Sequence, residues 1–553
     1  MKRQIPLPTS FSRIARMTLA SFFCALILSG VAQAAPYASN VRVTGTTVTF
    51  ILNEPADALN YSINDGPLVA LDGSTKGSKT FSLNATTDKF AIVAGKNAAV
   101  GYTVLTGATN AVVANGLSQP TATAGFNLIS DDTNPLVRFN SPRGVSVSTH
   151  PNATNFGTVY LANSAAGNTV GVVRSVGDGL YALNADQSDA FGYGNTAQDP
   201  DNRFDGVSAS ANSPFRVYAA TNSEVYTTDF SDANANIWRA NFNLTAPLDG
   251  TQVLAGIGGP TALPAGQNHG STTSVHVEGS LAGGNLVVYT IDEDLRTTPA
   301  APPDDRNSLW RYDIGSGPLP WAGESNKVNQ SNVLLPAATS DLDRGSDGKF
   351  YLAQTRSAGN EAGVVVLDAN GNMLYSSLID SRNLLGNPTA ADILRNVQAI
   401  AVSEDQLWLA VMVNNSDVAV IPLINGIPDL ANRRVVDTGT DVISGRDIAF
   451  DAAGNIHYVS SGQALYRVLA PGGGTVATTT RDGGNFTFTL GSAVAPPELE
   501  ISRAGDQITI EWSAGTLLES STVDGTFTNS ATQVSPYTFT PTGDMKFYRV
   551  RVP

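Results

Sequence analysis

The sequence predicts an all-β protein: a six-bladed β-propeller flanked by an N-terminal β-sandwich and a small C-terminal β domain. The first observation is a repeat. A pair ending in an aromatic, set in a short strand-like run, recurs as Val159-Tyr160, Val225-Tyr226, Val288-Tyr289, Phe350-Tyr351, Leu407-Trp408 and His457-Tyr458. The aromatics are separated by 66, 63, 62, 57 and 50 residues, and a long recurrence of this kind marks a propeller or solenoid. The second is period-2 alternation in short runs bounded by turn residues on both sides of the repeats. The third is a Pro-rich break, Ala493-Val494-Ala495-Pro496-Pro497, ahead of the last segment.

Residues 1–34 read as a secretory signal peptide. Lys2, Arg3, Arg13 and Arg16 precede the apolar run Met17 to Val31, and Ala32-Gln33-Ala34 offers a small-x-small cleavage site. The run is too short and wrongly flanked for a membrane anchor. The single cysteine, Cys24, lies inside this segment, so the mature chain would carry neither thiol nor disulfide and would rely on core burial. Cleavage after Ala34 leaves 29 basic against 48 acidic side chains, a net charge of −19. That balance excludes nucleic acid and anionic lipid as partners. The expected localisation is secreted: periplasmic, cell-surface or extracellular, with no transmembrane anchor.

Residues 35–125 are expected to form the sandwich. Val41 and Val43, then Val48, Phe50 and Leu52, alternate with polar neighbours, and Asn64-Asp65-Gly66 and Asp72-Gly73 supply turns. The stretch Leu52 to Asp57 followed by Tyr61-Ser62-Ile63 resembles the immunoglobulin-like modules of bacterial surface and flagellar-hook-capping proteins. The resemblance implies a spacer or adhesive role.

Residues 126–492 hold the repeats. Each unit opens with an apolar run near Val145, Val217, Val275, Leu342, Ile400 or Ile448, and the aromatic run follows. A third run comes next: Val170 to Val173, Ile237-Trp238-Arg239, Leu309 to Tyr312, Val364 to Leu367, Val418 to Ile421 and Leu465-Tyr466-Arg467. A looser fourth stretch precedes the next unit, as in Gly179 to Leu183 or Met373 to Leu378. Four short antiparallel strands repeated radially make a propeller. Phe126 to Ile129 with Phe486 to Leu490 would close the ring; a seventh, degenerate blade from the same segments is the alternative.

Val159-Tyr160-Leu161-Ala162-Asn163-Ser164 through Asn168-Thr169-Val170 resembles NHL-type repeats, and Gly454 to Val459 matches more weakly. This implies a six-membered ring and carries no catalytic residue with it. Gluconolactonase-type six-bladed lactonases hold a central metal with Glu, Asn and Asp; the strand starts here offer Asp341 and Asp447 without a matching Glu. Residues 498–553 form the last module, with Ile508, Ile510 and Trp512 alternating and Phe547-Tyr548-Arg549-Val550 closing it. It is similar to small C-terminal β modules of secreted bacterial proteins, which implies a surface or export tag.

Propeller chemistry is expected at the channel mouth where the inner strands begin. Counting back from the six openings gives Arg143, Arg216, Ser274, Asp341, Gln398 and the pair Arg446-Asp447, with Asp343-Arg344 just inside. Converging Arg and Asp could hold a polar or anionic sugar, since Arg grips carboxylates bidentately. The competing expectation is that these residues pair with one another and pin adjacent blades. His269 and His276, seven apart, are the candidate catalytic pair, while His457 sits at a core position. Asp292, Asp294, Asp304 and Asp305 lie around one insertion and bring enough oxygen for a Ca²⁺ ion, with a solvated acidic loop as the alternative. Asp368 to Asn372 and Asp451 to Asn455 read as hairpin turns. No nucleophile elbow, phosphate loop or His-Glu-x-x-His is present. The leading expectation is a secreted, non-catalytic binding or scaffold protein that requires no cofactor and faces a glycan or an extracellular protein. A propeller-based polysaccharide lyase or hydrolase is the rival.

Overall fold

The computed structural model describes residues 36–96, 112–113, 117–118, 126–198, 213–230, 236–245, 247–255, 271–292, 308–323, 326–329, 339–355, 360–413, 417–436, 445–471, 475–492, 499–512, 516–522, 527–541 and 546–551. The leader expected at 1–34, His269, Asp294, Asp304 and Asp305 lie outside them. Among the described residues no helix is long and apolar enough to cross a membrane.

Among the described residues, six antiparallel sheets follow one another between 126 and 471. Their first strands are Pro142–Val147, Val217–Ala219, Thr272–Glu278, Thr339–Arg344, Val397–Val402 and Gly445–Phe450. Each of these inner strands touches the next in sequence, and the sixth touches the first, so the six close into a ring. This closed cycle is a β-propeller. Its core is divided among the junctions between sheets. Val145, Val217, Val275, Leu342, Ile400 and Ile448 each enter a different one of six buried clusters. Each cluster is built from two adjacent sheets, so burial itself holds the ring together.

The repeated aromatics serve this packing. Tyr160, Tyr226, Tyr289, Tyr351, Trp408 and Tyr458 are all buried in the junction clusters. Their registers are not uniform. Tyr160, Tyr226, Tyr289 and Tyr351 pair with Ser146, Tyr218, His276 and Asp343, which are equivalent inner-strand positions. In the fifth sheet Ala410 takes that place, two residues beyond Trp408 on the same strand face. In the sixth it falls to His457, and Tyr458 points to the opposite face. His457 is buried as expected, with Nδ1 2.7 Å from the Tyr466 hydroxyl and Nε2 3.3 Å from Asp451.

Two sequence expectations are corrected by strand pairing. In the first sheet the third strand is Gly179–Leu183, not Val170 to Val173. Val170 and Val173 are about 70 % exposed (70% and 71%), near the tip of a short hairpin formed by Gly167–Asn168 and Ser175–Val176. Their apolar character suggested a strand, but their spacing of three puts them on no common sheet face. The ring closure also differs. Phe126–Leu128 completes the sixth sheet by pairing with Leu465–Pro471, so the first and last segments of the ring share one sheet. Phe486 to Leu490 takes no part in that closure. It lies in Asn485–Ser492, which pairs with Thr475–Asp482, and that strand pairs in turn with Phe90–Lys96. Residues 475–492 therefore extend a sheet of the N-terminal module and do not end the propeller, as the expected 126–492 range implied.

That module consists of two sheets facing one another across a shared core. Val48, Phe50 and Phe81 come from one sheet and Leu59, Phe90 and Ile92 from the other. It is anchored to the ring by a cluster of Tyr37, Phe156, Ala185, Ala452, Ala453 and Ala477, with Phe488 packed beside it. The Asn40 N–H donates to the Phe156 carbonyl at 2.8 Å, and Asn152 exchanges two hydrogen bonds with the Phe486 backbone. Gly157, at φ +81°, allows the close approach, since a Cβ there would lie 2.3 Å from Ser39 Cβ. The last segment forms two three-stranded sheets around Ile510, Trp512 and Leu517. The turns at Asp368 and Asp451 are confirmed: each carboxylate accepts backbone N–H groups two and four residues on.

Candidate functional site

The inner strands carry polar residues at alternate positions, and pairing register aligns them in layers along the channel. One layer is Gly144, Arg216, Ser274, Asp341, Ala399 and Asp447; two residues on lies Ser146, Tyr218, His276, Asp343, Ala401 and Ala449. Many of these side chains accept the backbone N–H of the next sheet's inner strand. Asp447 takes Val145 N–H at 2.7 Å, Ser146 takes Ala219, Ser274 takes Leu342, Asp341 takes Ile400 at 3.0 Å and Asp343 takes Val402 at 2.7 Å. The Tyr218 hydroxyl is engaged likewise by Val277. Ala399 and Ala401, at the fifth-to-sixth junction, carry no polar atom to do so.

The first layer is closed on itself. Arg216 is 4% exposed and reaches across the channel. Its guanidinium donates to the carbonyls of Arg143 at 2.8 Å, Arg446 at 2.5 Å and Gln398 at 2.8 Å. Its Nε lies 3.5 Å from Asp341 and 3.7 Å from Asp447. One side chain thus ties the first, second, fourth, fifth and sixth sheets, and Ser274, donating to Asp341 at 2.7 Å, brings in the third. Gly144 makes room, since a Cβ there would sit 2.8 Å from the Phe215 carbonyl and 3.0 Å from Arg216 Cα. Burial, together with the neighbouring Asp341, pushes the Asp447 carboxyl up to about 8, and burial raises Asp341 too. Two carboxylates facing one guanidinium leave a surplus negative charge in a dry site, so the group is neutral when one carboxyl keeps its proton.

Above this floor lies a cavity of about 450 Å³. Its rim is formed by residues that follow the inner strands, among them Thr149, His150, Ser346, Glu404 and Gln406. The cavity therefore opens where the inner strands end, the reverse of the expectation that the site lies where they begin. Arg143 and Arg446 do not line it; each instead places its Nε on a serine of its own sheet, Ser164 at 3.2 Å and Ser461 at 2.9 Å. Burial and the proximity of Arg446 and Arg216 lower Arg143 to about 10. Of the expected ligand residues, Arg216, Asp341 and Asp447 form the sealed floor, and Asp343 alone stands on the open wall. The pinning role weighed against ligand binding is what the floor performs.

On the wall, His276 is 8% exposed and its Nδ1 has no hydrogen-bond partner, lying 3.6 Å from Asp343. Its ring packs against Tyr218 at 4.9 Å. Glu278 pairs with Arg344, whose guanidinium also stacks over Tyr289 and Phe350. Glu404 is exposed at the rim as a residue, yet its carboxyl is crowded. Desolvation raises it from the usual glutamate value, a hydrogen bond from Thr149 partly offsets this, and the charge of Asp343 adds to the rise. Sequence reasoning missed Tyr218, Glu404, His150 and Glu278, the partner of Arg344. Their signal was positional: Tyr218 and Glu278 fall two residues along from Arg216 and His276, and Glu404 and His150 directly follow inner strands. Asp292, expected in an acidic metal loop, is fully buried and accepts from the Thr272 hydroxyl at 3.3 Å. Among the described residues no group of three His, Cys, Asp or Glu side chains is placed to hold a metal ion.

No protein-family model matches the chain, and neither does any sequence among curated proteins. Among solved structures, the chain is similar to a structural-genomics protein of unknown function from Bacteroides thetaiotaomicron, at 12% identity and TM-score 0.36, over 79% of this chain and 98% of that one. It is also similar to the WD40 propeller domain of Doa1, at 11% identity and TM-score 0.34, over 63% and 97%. A gluconolactonase from Xanthomonas campestris matches at 12% identity and TM-score 0.33, over 68% and 96%. These likenesses are too distant to bear on chemistry. The propeller rests on the chain's own strand pairing.

Proposed function

We propose that the protein is a secreted, non-catalytic binding protein that takes a glycan, or a segment of an extracellular protein, into the cup of its propeller. The observation that carries this reading is the buried Nδ1 of His276, which makes no hydrogen bond and lies 3.6 Å from Asp343, on the wall of a cavity whose floor is already fully engaged. A buried ring nitrogen without a partner costs stability, and a ligand donating to it would recover that cost. The cavity's size falls within the usual range for ligand sites, roughly 300–1,000 Å³. The floor residues contribute rigidity, since moving Arg216 would strip a buried ion of its partners. Export by the 1–34 leader, the immunoglobulin-like kinship of the N-terminal module and independence from any metal belong to this proposal. The test is calorimetric titration of the purified mature chain with a panel of glycan oligomers, with and without chelator. Binding abolished by His276→Ala and unaffected by chelator is expected; no binding to any glycan would leave only the protein-partner half of the reading.

One observation favours the enzymatic alternative. His276 lies beside the Asp343 carboxylate, and burial raises Glu404 on the same cavity above the usual glutamate value. A lyase or hydrolase would use the histidine as base and Glu404 as proton donor. Appearance of unsaturated or reducing ends on incubation with polysaccharides, lost in Glu404→Gln, would favour it over simple binding.

A further inference from the structure

We infer that the cup selects a sugar bearing a primary ammonium, an unacetylated amino-sugar unit of a glycan. This rests on the glycan reading above and narrows it. The charge inventory is the first observation. Five carboxylates line the cavity, Glu278, Asp341, Asp343, Glu404 and Asp447, against two guanidiniums, Arg216 and Arg344, two imidazoles, His150 and His276, and no lysine. Arg344 is engaged by Glu278, and Arg216 by both floor aspartates. Asp343 and Glu404 therefore face the cavity with no guanidinium of the lining left to neutralise them. Asp343 takes two backbone N–H groups, from Val402 and from Arg344, each at 2.7 Å. Those bonds orient the carboxylate without cancelling its charge.

The second observation is independent of charge. His276 is more than nine-tenths buried, lines the cavity and has an Nδ1 without a hydrogen bond, 3.6 Å from Asp343, that can accept a proton-bearing group when the ring is neutral with hydrogen on Nε2. An ammonium carries three donors, and the wall offers three acceptors: the Asp343 carboxylate, the Glu404 carboxylate at the rim and this nitrogen. A neutral hydroxyl has one donor and leaves the charge uncompensated. An anionic sugar would meet the two carboxylates with no free guanidinium. The Tyr218 ring, 4.9 Å from His276 and tilted 52° to it, supplies an aromatic wall beside a bound cation.

The experiment is titration calorimetry of the full mature chain with four probes: a β-1,4-glucosamine tetramer, its fully N-acetylated counterpart, cellotetraose and poly-lysine. The glucosamine tetramer should bind at least about tenfold more tightly than the two neutral tetramers, with an affinity that falls as salt rises. Glu404→Gln and Asp343→Asn should each weaken it by about tenfold or more, and both keep the neutral acceptor shape. Glu404 lies at the rim, so its variant stays folded and decisive even if Asp343→Asn does not. Equal or tighter binding of cellotetraose or the acetylated tetramer overturns this inference and leaves the glycan reading standing. Binding of poly-lysine with none of the sugars overturns it in favour of a protein partner. No binding of any probe overturns it and removes amino sugars from the glycan reading.

Discussion

Two neighbouring layers of the same channel are built from equivalent strand positions and behave in opposite ways. In the lower layer, Arg216 meets two carboxylates and three carbonyls and closes the channel. In the upper layer, two residues along, Tyr218, His276 and Asp343 face a cavity, and a buried ring nitrogen goes without a partner. The difference lies in reach and neutralisation. A long guanidinium at the second sheet spans to the opposite side and completes its own shell. Beside the upper layer the long cation Arg344 is held by Glu278 and by the rings of Tyr289 and Phe350 and does not span the channel. A propeller can therefore seal and open its channel within one pleat of the same six strands.

If the floor is structural and the wall is not, substitutions should separate stability from binding. The largest effect is expected at Arg216→Met, which strands two buried carboxylates. The cost should be about 3–5 kcal/mol, read as a fall in the denaturant midpoint of the propeller transition. Next comes Gly144→Val, whose side chain would press on the Phe215 carbonyl and the Arg216 backbone. Overpacking of this kind costs about 1–3 kcal/mol, visible as a lower Tm without change in the ligand panel. A pH series probes the same floor. The folded-state value of Asp447 is raised above its unfolded one, so the folded protein holds a proton the unfolded chain has lost. The stability this group contributes is full below about pH 4 and is lost as pH rises through about 8; raised Asp341 acts in the same direction. Tm should accordingly decline between about pH 4 and 8 and level off above that, and Asp447→Asn should flatten that slope. The smallest change in stability is expected at Glu404→Gln on the exposed rim, within about 0.5 kcal/mol, although this variant should reduce ligand binding. A Glu404 variant as unstable as the Arg216 one would erase the distinction between the layers.

Much of the ring was legible in the sequence because its repeated aromatics answer one physical demand, filling the junction between two sheets. The demand is met in register by Tyr160, Tyr226, Tyr289 and Tyr351. Trp408 meets it from two residues away, and Tyr458 from the opposite face, so the spacing contracts along the chain while the packing persists. The run at Val170 misled because composition alone does not reveal exposure. The return of 475–492 to the N-terminal module was illegible for a different reason. Thr475–Asp482 reads as a strand, but its partner, Phe90–Lys96, is remote in sequence, and no local signal names it. The site was half legible. Arg216, Asp341, Asp343 and Asp447 were identifiable by counting along the inner strands. Which end of the channel would open was not, because it depends on how one arginine folds across the convergence of all six sheets.

The returning strand also sets a timetable for the chain as it is made. Phe90–Lys96 leaves the ribosome long before its neighbour Thr475–Asp482, and the whole propeller is synthesised between them. Until then the N-terminal sheet has a bare edge, with unpaired N–H and C=O groups along a strand that contains Phe90 and Ile92. A contact so distant in sequence forms late, because the intervening loop must first be closed by the ring. The first module of the chain to emerge is therefore among the last to be finished, and a chain cut short within the propeller would leave an adhesive strand edge exposed.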